Sequence, residues 1–291
     1  MATLNKQIWT KQLMKNFYPE ASFLNYAKDF SSLVEYDKLH MAEVGIDPTV
    51  LINNTTYPIK VSERIDKPIE IELDLFETEN TLIREPQAIE LAYDKLESVI
   101  YGHKQSLRTN TFKKAAHAYA PDKDTEYTPV IQTTGIANAD GYLSLTPTDI
   151  LRLKRRYDDL DIPQEGRFLV LNPRHTEDLI NFDMKIFKDI TDYVSGTPKR
   201  FAGFNILEYS KTPVYDSVTL EKIAFDSVAP DGLFSSFSFH KDEIMKADGQ
   251  VKMYVDKDDP KERATIIGFE KRFIALPIRK KAIGAIVAKK A

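Results

Sequence analysis

The side chains that could do acid–base or metal chemistry are scattered along this chain. Its five histidines stand at His40, His103, His117, His175 and His240. No two of them have the spacing of a metal-binding motif. The sequence contains no G-x-S-x-G elbow, P-loop, H-E-x-x-H or dinucleotide-binding glycine pattern. The residue types therefore predict no catalytic site, no metal site and no cofactor, which indicates a non-enzymatic protein.

Two acidic clusters are the remaining places where chemistry is conceivable. Asp256, Asp258 and Asp259 lie close together, but their run lacks the mid-loop glycine and terminal glutamate of an EF-hand. We interpret it as a solvated hairpin turn. Asp158 and Asp159 could supply one side of a glycosidase-type pair, but no pattern places a second carboxylate opposite them.

The composition is that of a folded globular protein made in a reducing compartment. The 291 residues are 42% hydrophobic and 29% charged, which excludes a disordered chain. There is no cysteine, so disulfides and thiolate metal sites are excluded, and we expect synthesis in the cytoplasm. We see no signal-peptide pattern and no apolar run of about 18 residues. The net charge of -4 gives no overall drive toward nucleic acid.

The charge is nevertheless uneven. Residues 271–290 contain seven basic side chains and no acid, and the set includes Lys271, Arg272 and Arg279. Such a run is either a solvated C-terminal edge or an ion-pairing interface, and the sequence leaves both open.

The N-terminal fifty residues are rich in aromatic side chains, including Trp9, Phe17 and Tyr18. This segment is too aromatic for a disordered tail and has no clean helical or strand period. It is either an arm that finds apolar surface on another molecule or a strap across its own domain.

A period of two then predicts a β-hairpin over residues 54–76. Ile69, Ile71 and Leu73 alternate with acidic residues, as in a strand with one apolar face. The turn is predicted at residues 64–68. An isolated hairpin is marginal in water, so this one needs a surface to lie on. Glu70, Glu72 and Asp74 form an acidic face that suggests a basic partner, unless the hairpin is part of a larger sheet.

The period changes to that of a helix after Pro86. Apolar residues recur every seven positions through residue 107. His103 lies on the same apolar stripe, which favours a histidine in the core or at an interface. The pattern predicts one long helix from residue 86 to residue 119. Gly102 and the run 109–111 are poor helix formers that could bend or split it.

An α/β region follows. Thr146, Pro147 and Asp149 predict a capped helix start, with a basic side that includes Arg152 and Arg155. Residues 167–171 predict a buried strand, the Asn-Pro pair at 172–173 a second helix, and residues 203–209 another strand. Strand-like runs fill residues 234–287.

This order of elements resembles the Hong Kong 97-type fold of tailed-phage major capsid proteins. Two local segments strengthen the resemblance. Residues 264–276, with Glu270 and Arg272 two positions apart, are similar to the closing strand of that family, and residues 168–173 with 203–206 are similar to its axial-domain core.

The resemblance implies an α+β fold with five parts. These are an N-terminal arm (1–50), an extended β-hairpin loop (51–84), a spine helix with the first part of the peripheral domain (85–144), an axial domain (145–230) and closing strands of the peripheral domain (231–291). It also implies self-assembly through hexamers and pentamers into an icosahedral shell around double-stranded DNA, held without sequence specificity in a virion assembled in a bacterial cytoplasm. A separate scaffolding protein and a portal are expected partners, and a membrane is not.

The residues expected at contacts between subunits are aromatic arm residues, hairpin acids and basic residues of the later segments. They are Trp9, Phe17, Tyr18, Glu70, Glu72, Asp74, Arg152, Arg155, Lys271, Arg272 and Arg279. Two other functions stay open: an encapsulin-type compartment, which shares the fold, and a cytoplasmic hydrolase with an unrecognised carboxylate site.

Overall fold

A computed structural model describes residues 10, 13–15, 17–18, 22–43, 67–84, 95–182, 200–227, 229–259 and 264–291. The helices with described bounds are α1 (Lys95–Tyr119), α2 (Pro147–Asp159) and α3 (Pro173–Phe182). The strands of the first half are β1 (Lys28–Asp29), β2 (Val34–Glu35), β3 (Lys38–Glu43), β4 (Lys67–Glu72), β5 (Asp74–Glu77), β6 (Thr81–Arg84), β7 (Val130–Gln132) and β8 (Tyr142–Leu143). Those of the second half are β9 (Arg167–Leu171), β10 (Arg200–Phe201), β11 (Phe204–Glu208), β12 (Val214–Tyr215), β13 (Leu233–His240), β14 (Ile244–Asp259), β15 (Ala264–Pro277), β16 (Ile283–Val287) and β17 (Lys289–Lys290).

Two sheets organise these elements. The hairpin sheet is built on β14 and β15, with β1 on one edge and β5 and β6 on the other. The central sheet runs in the order β10-β11-β9-β13-β16-β7, and β12 pairs with β13. Its middle strands are buried along their whole length, as continuous apolar runs such as residues 167–171 require.

The boundary expected between the axial domain and the closing strands, at residue 230/231, does not coincide with a division between the two sheets. β13 and β16 belong to the central sheet together with β9 and β11, whereas β14 and β15 form the hairpin sheet. β7, expected in the peripheral part, also joins the central sheet. The chain therefore crosses between the two sheets twice after residue 230, because β13 and β16 both lie in the central sheet, where β13 pairs with β9 and β16 with β13.

The long helix packs on both sheets. Ile100 and Leu107 are buried against β14 and β15 of the hairpin sheet, and farther along Phe112 and Tyr119 join side chains of the central sheet in the same core. α1 continues through residues 109–111 without a break, so the helix is not split there. Its 25 residues span about 37 Å at 1.5 Å each. The predicted helix start at Pro86 lies outside the described residues.

The second helix starts where the sequence predicted. The Thr146 side chain accepts a hydrogen bond from the backbone N–H of Asp149, and the Asp149 carboxylate accepts one from the backbone of Thr146. Pro147 occupies the first turn, where its missing N–H costs nothing. Ile150 and Leu153 are fully buried on the face that packs against β16 and β7.

The strand β4 of the predicted hairpin has β3 along one of its edges. Ile69 and Ile71 lie in β4 as expected, but β4 pairs antiparallel with β3, with Glu43 opposite Lys67. Lys67 and Pro68, expected in the turn, are therefore strand residues. The predicted first strand, around residues 57–61, lies outside the described residues. The predicted alternation of buried apolar and exposed acidic residues ends at Leu73. There the chain leaves β3, and the next strand, β5, pairs with β15.

The predicted turn at residues 256–260 is also displaced. Asp256 and Asp259 belong to β14 and lie opposite Ile266 and Ala264 of β15. The ladder extends this far because β6 holds the same part of β15 from its other edge.

Part of the aromatic N-terminal segment is a strap on its own domain. Phe23 and Leu24, in a 3-10 turn, are buried, and the Phe23 ring makes edge contacts with Tyr119 of α1 and Phe237 of β13. The strap therefore closes the core where the two sheets meet, which settles the open alternative for residues 22–27.

Thr146→Ala should lower the free energy of unfolding of the unassembled chain by about 1 kcal/mol, because the N-terminal N–H groups of α2 lose their acceptor. Urea unfolding followed by circular dichroism measures this. Thr148→Ala is the control, since Thr148 is exposed two positions along the same helix, and a loss of equal size there would contradict the capping role.

Candidate functional site

The acidic face predicted on the hairpin is exposed, and its members differ in their partners. Glu70 lies 3.2 Å from the Lys38 ammonium and 3.8 Å from the His40 ring. Asp74 lies 3.6 Å from the ammonium of Lys114 on α1. Glu72 is exposed and has no ion pair within the described part of the chain. Because exposed pairs are worth at most about 1 kcal/mol, these contacts leave the face available to another molecule.

Lys271 is not on the surface. It is fully buried, and its ammonium contacts the Asp248 carboxylate and the Tyr18 hydroxyl. This burial does not support the expected contact of Lys271 with a neighbouring subunit, which stays a prediction. The reason for the burial is strand alternation, because Lys271 lies between Phe269 and Phe273 on the face of β15 that is buried in the core.

Phe17 and Tyr18 complete this buried pair. The Lys271 ammonium lies 4.2 Å from the Phe17 ring centroid and 5.0 Å from that of Tyr18. The Tyr18 hydroxyl donates to Asp248 at 2.7 Å. Phe17 is itself buried, so both residues pack against their own chain, and the contact between subunits expected of them stays a prediction. Trp9 lies outside the described residues.

Burial dominates the electrostatics of this cluster. Loss of water lowers the pKa of Lys271, and the nearby Asp248 carboxylate opposes that shift. Burial, with the negative charge of Asp248, raises the pKa of Tyr18 far above its usual value. Tyr18 therefore stays a neutral donor, and Asp248 is the negative partner that keeps Lys271 charged.

Glu270 and Arg272, the pair that carried part of the family resemblance, face the opposite side of the hairpin sheet from Lys271. Glu270 is buried and accepts a hydrogen bond from the Tyr254 hydroxyl at 2.6 Å. The Arg272 guanidinium lies 3.8 Å from Glu270 and 3.8 Å from Asp37. Arg272 thus ties β15 to the turn before β3, at the base of the β3–β4 ladder.

The remaining basic candidates lie on the surface at separate places. Arg152 is 3.5 Å from Asp149 of its own helix, Arg155 is exposed on α2, and Arg279 is 3.1 Å from Glu243. The structure does not gather the predicted contact residues into one cluster. It places them on several faces of the chain.

Among the cations that sequence reasoning missed are Arg167 and Lys222. The Arg167 guanidinium lies 2.8 Å from Asp158 and over the Tyr157 ring, so Asp158 joins α2 to β9. The Lys222 ammonium donates hydrogen bonds to the carbonyl oxygens of His117 and Ala120 at the end of α1, where a cation complements the helix dipole. Of the residues in these contacts, the sequence pointed only to Asp158, as one carboxylate of a possible glycosidase-type pair.

The described histidines are mostly structural. His175 is fully buried and its Nδ1 lies 2.7 Å from the Ser236 hydroxyl, and burial lowers its pKa to about 3. His103 is buried beside the Phe269 ring, as its stripe predicted. Within the described ranges, no three His, Asp or Glu side chains converge as a metal site would require. No described helix is long and apolar enough to cross a membrane.

Asp248→Asn should destabilise the unassembled chain by about 3 kcal/mol at neutral pH, because it leaves the fully buried Lys271 without its negative partner. The double variant Asp248→Asn/Lys271→Met should lose less than this single change. Chemical denaturation gives both values. Lys28→Met, which breaks the exposed Lys28–Asp242 pair, should cost no more than about 1 kcal/mol. A single variant no less stable than the double would contradict the pairing.

Acid should destabilise the chain through His175. Its folded pKa, about 3, lies below the unfolded value of about 6.5, so between these pH values only the unfolded chain binds the proton. Stability therefore falls as the pH drops below about 6.5, by up to about 1.4 kcal/mol per pH unit from this group. Urea midpoints between pH 7 and pH 4 should depend less on pH in His175→Gln. A pH dependence in His175→Gln equal to that of the unmodified chain would contradict the assignment.

No family model and no curated protein matches the sequence, but solved structures match its fold. The capsid structure of cyanophage P-SCSP1u is 14% identical and superposes with a TM-score of 0.67 over 91% of this chain and 87% of that one. A Mycobacterium phage Che8 structure gives 14% identity, a TM-score of 0.64 and coverages of 91% and 90%. The virus-like particle from Pyrococcus furiosus is 11% identical and superposes with a TM-score of 0.58 over 97% of this chain and 99% of that one. The chain therefore has the α+β Hong Kong 97-type fold of phage capsid proteins, as its order of elements predicted.

Proposed function

We propose that this chain is a shell subunit, a major capsid protein that assembles through hexamers and pentamers into an icosahedral shell around double-stranded DNA. The observation that carries the proposal is the match of about nine-tenths of the chain to the capsid structures of cyanophage P-SCSP1u and bacteriophage PhiM1. A virion location follows from the proposal. A separate scaffolding protein and a portal are its expected partners.

The β3–β4 ladder supports this function physically. β2, β3 and β4 form a small sheet of their own, apart from the hairpin and central sheets. Leu39 anchors its base in a core with Leu73 and Met245, but Glu70 and Glu72 are exposed on β4. Contact of this exposed face with a neighbouring subunit would stabilise the sheet further. Many such weak contacts act together in a closed shell.

The charge of the chain suits an enclosing wall. The net charge is -4, so each subunit lacks the strong positive field that tight phosphate binding requires. DNA would then be held by confinement and scattered contacts, without reading of its sequence.

An encapsulin-type compartment is the second candidate. The specific observation in its favour is the match to the Pyrococcus furiosus virus-like particle, which covers 97% of this chain and 99% of that one. The contents of purified particles separate the two: packaged DNA supports the phage shell, and a co-purified cargo protein supports the compartment.

A hydrolase is less well supported. The buried carboxylates of the described residues have structural hydrogen bonds: Asp149 with Thr134 and Thr146, Glu270 with Tyr254, and Asp178 with the backbone of Leu145. Particles would support the shell, whereas a small discrete oligomer with activity would support the hydrolase. Electron microscopy of the expressed chain, with and without its scaffolding partner, tests this.

Glu70→Lys/Glu72→Lys should leave the monomer folded and lower the yield of particles by roughly tenfold or more, since like charges brought together at an interface cost several kcal/mol. Particle yield is counted by electron microscopy, and the fold is checked by circular dichroism. Glu126→Lys/Glu177→Lys changes the net charge equally at exposed sites elsewhere. Normal yield from the first variant would contradict a role for this face.

A further inference from the structure

A groove of about 770 Å³ runs between α1 and the segment that carries β5 and β6. Its strand wall includes Leu75, Glu77 and Glu79, and its helix wall includes Gly102 and Ser106. Leu75 is 43% exposed although it lies in the middle of a strand. The groove is thus an open channel with apolar and polar lining on the hairpin-sheet side of the molecule.

The groove carries a net negative charge. Glu77 and Glu79 are exposed and have no ion pair among the described residues. Asp74 is matched by Lys114 at 3.6 Å, which leaves the two glutamates uncompensated. His103 also lines the groove, but burial lowers its pKa, so its ring is neutral near pH 7 and adds no positive charge. A cationic occupant therefore complements this channel.

The helix wall leaves room for such an occupant. Gly102, Ser106 and Asn110 recur at four-residue spacing on one side of α1. A Cβ built at Gly102 would meet no atom within 4 Å. Glycine inside a helix costs about 1 kcal/mol relative to alanine, yet no close packing among the described residues requires it here. A second molecule approaching the helix would account for a residue without a side chain at this position.

The chain carries a cationic segment of matching chemistry. Arg279, Lys280 and Lys281 occupy the turn between β15 and β16. The Lys280 side chain is 86% exposed and reaches only an exposed aspartate, Asp122, at 3.9 Å. Lys281 has no ion pair within the described ranges. Ile278, just before them, is half-buried, so an apolar side chain lies next to the basic residues of the turn.

We infer that the acidic groove of one subunit receives the Arg279–Lys281 turn of a second copy. This inference rests on the proposed shell function and adds a specific contact to it. The groove and the turn are different patches of the same chain, so the contact is head-to-tail. Contacts of that kind close into rings when the rotation between subunits permits, as hexamers and pentamers require.

A charge exchange tests the pairing. Glu77→Lys/Glu79→Lys and Lys280→Glu/Lys281→Glu should each lower particle yield by roughly tenfold or more. Combining all four changes in one chain restores opposite charges across the contact, and the yield should return to within about threefold of the unmodified chain. A combined variant as defective as either double variant would overturn the inference.

Gly102 provides a test that does not alter charge. Gly102→Trp should fill the groove and abolish particles while the monomer stays folded, because open space surrounds the added side chain. Gly102→Ala adds only a methyl group and should lower the particle yield less than Gly102→Trp does. Normal particles from Gly102→Trp would overturn the inference.

A cysteine pair reads the contact directly, since the chain contains no cysteine of its own. Particles of Glu79→Cys/Lys280→Cys should form chains linked by disulfides after mild oxidation, seen as a ladder of multimers on denaturing gels. Tyr36→Cys/Lys280→Cys is the matched control, because Tyr36 is exposed and lies outside the groove. A ladder absent from the first pair, or equal in both, would overturn the contact. Absence of particles from the unmodified chain would instead contradict the shell function itself.

Discussion

Both sheets of this chain bury an apolar face against the same helix, and the rest of the structure depends on that shared contact. Ile100 and Leu107 of α1 pack on the hairpin sheet, and Phe112 and Tyr119 join the core that includes the central sheet. Because α1 is continuous, it holds the two sheets in a fixed position relative to each other. The helix is thus the element that joins the two sheets.

This contact also explains the buried lysine. Alternation along β15 directs Lys271 toward α1 and the N-terminal segment, between two phenylalanines. A charge in that position needs a partner, which Asp248 supplies from β14, and Tyr18 completes the cluster by bonding both. The aromatic N-terminal segment is therefore held against its own chain at residues 17–18 and 22–27, and the surface left for neighbouring subunits is smaller than the sequence suggested.

Local features were predictable from the sequence because each depends on residues close together in the chain. The cap at Thr146, the apolar stripe through Ile100 and Leu107, and the buried strand at 167–171 all follow from spacing alone. The partners of the strands did not follow, since pairing is decided by distant segments. Period two placed Ile69 in a strand, but nothing near it indicated that β3 would lie alongside.

The candidate contact residues show the same limit. A charge run predicts exposure only when secondary structure leaves its members on one surface. Lys271 and Arg279 belong to the same basic run, yet one lies on the inner face of β15 and the other in a turn. Glu70 and Glu72, by contrast, share one face of one strand, so alternation was enough to predict their exposure.

Assembly of the purified chain, measured by sedimentation velocity over a range of concentrations, tests the central claim most directly. A shell held by many weak, cooperative contacts predicts two boundaries above a threshold concentration: a slow one from free subunits or small rings, and one sharp, very fast boundary from closed particles. Added scaffolding partner should lower that threshold. A chain that sediments only as a monomer or a small fixed oligomer at every concentration, with the partner present, would contradict the account.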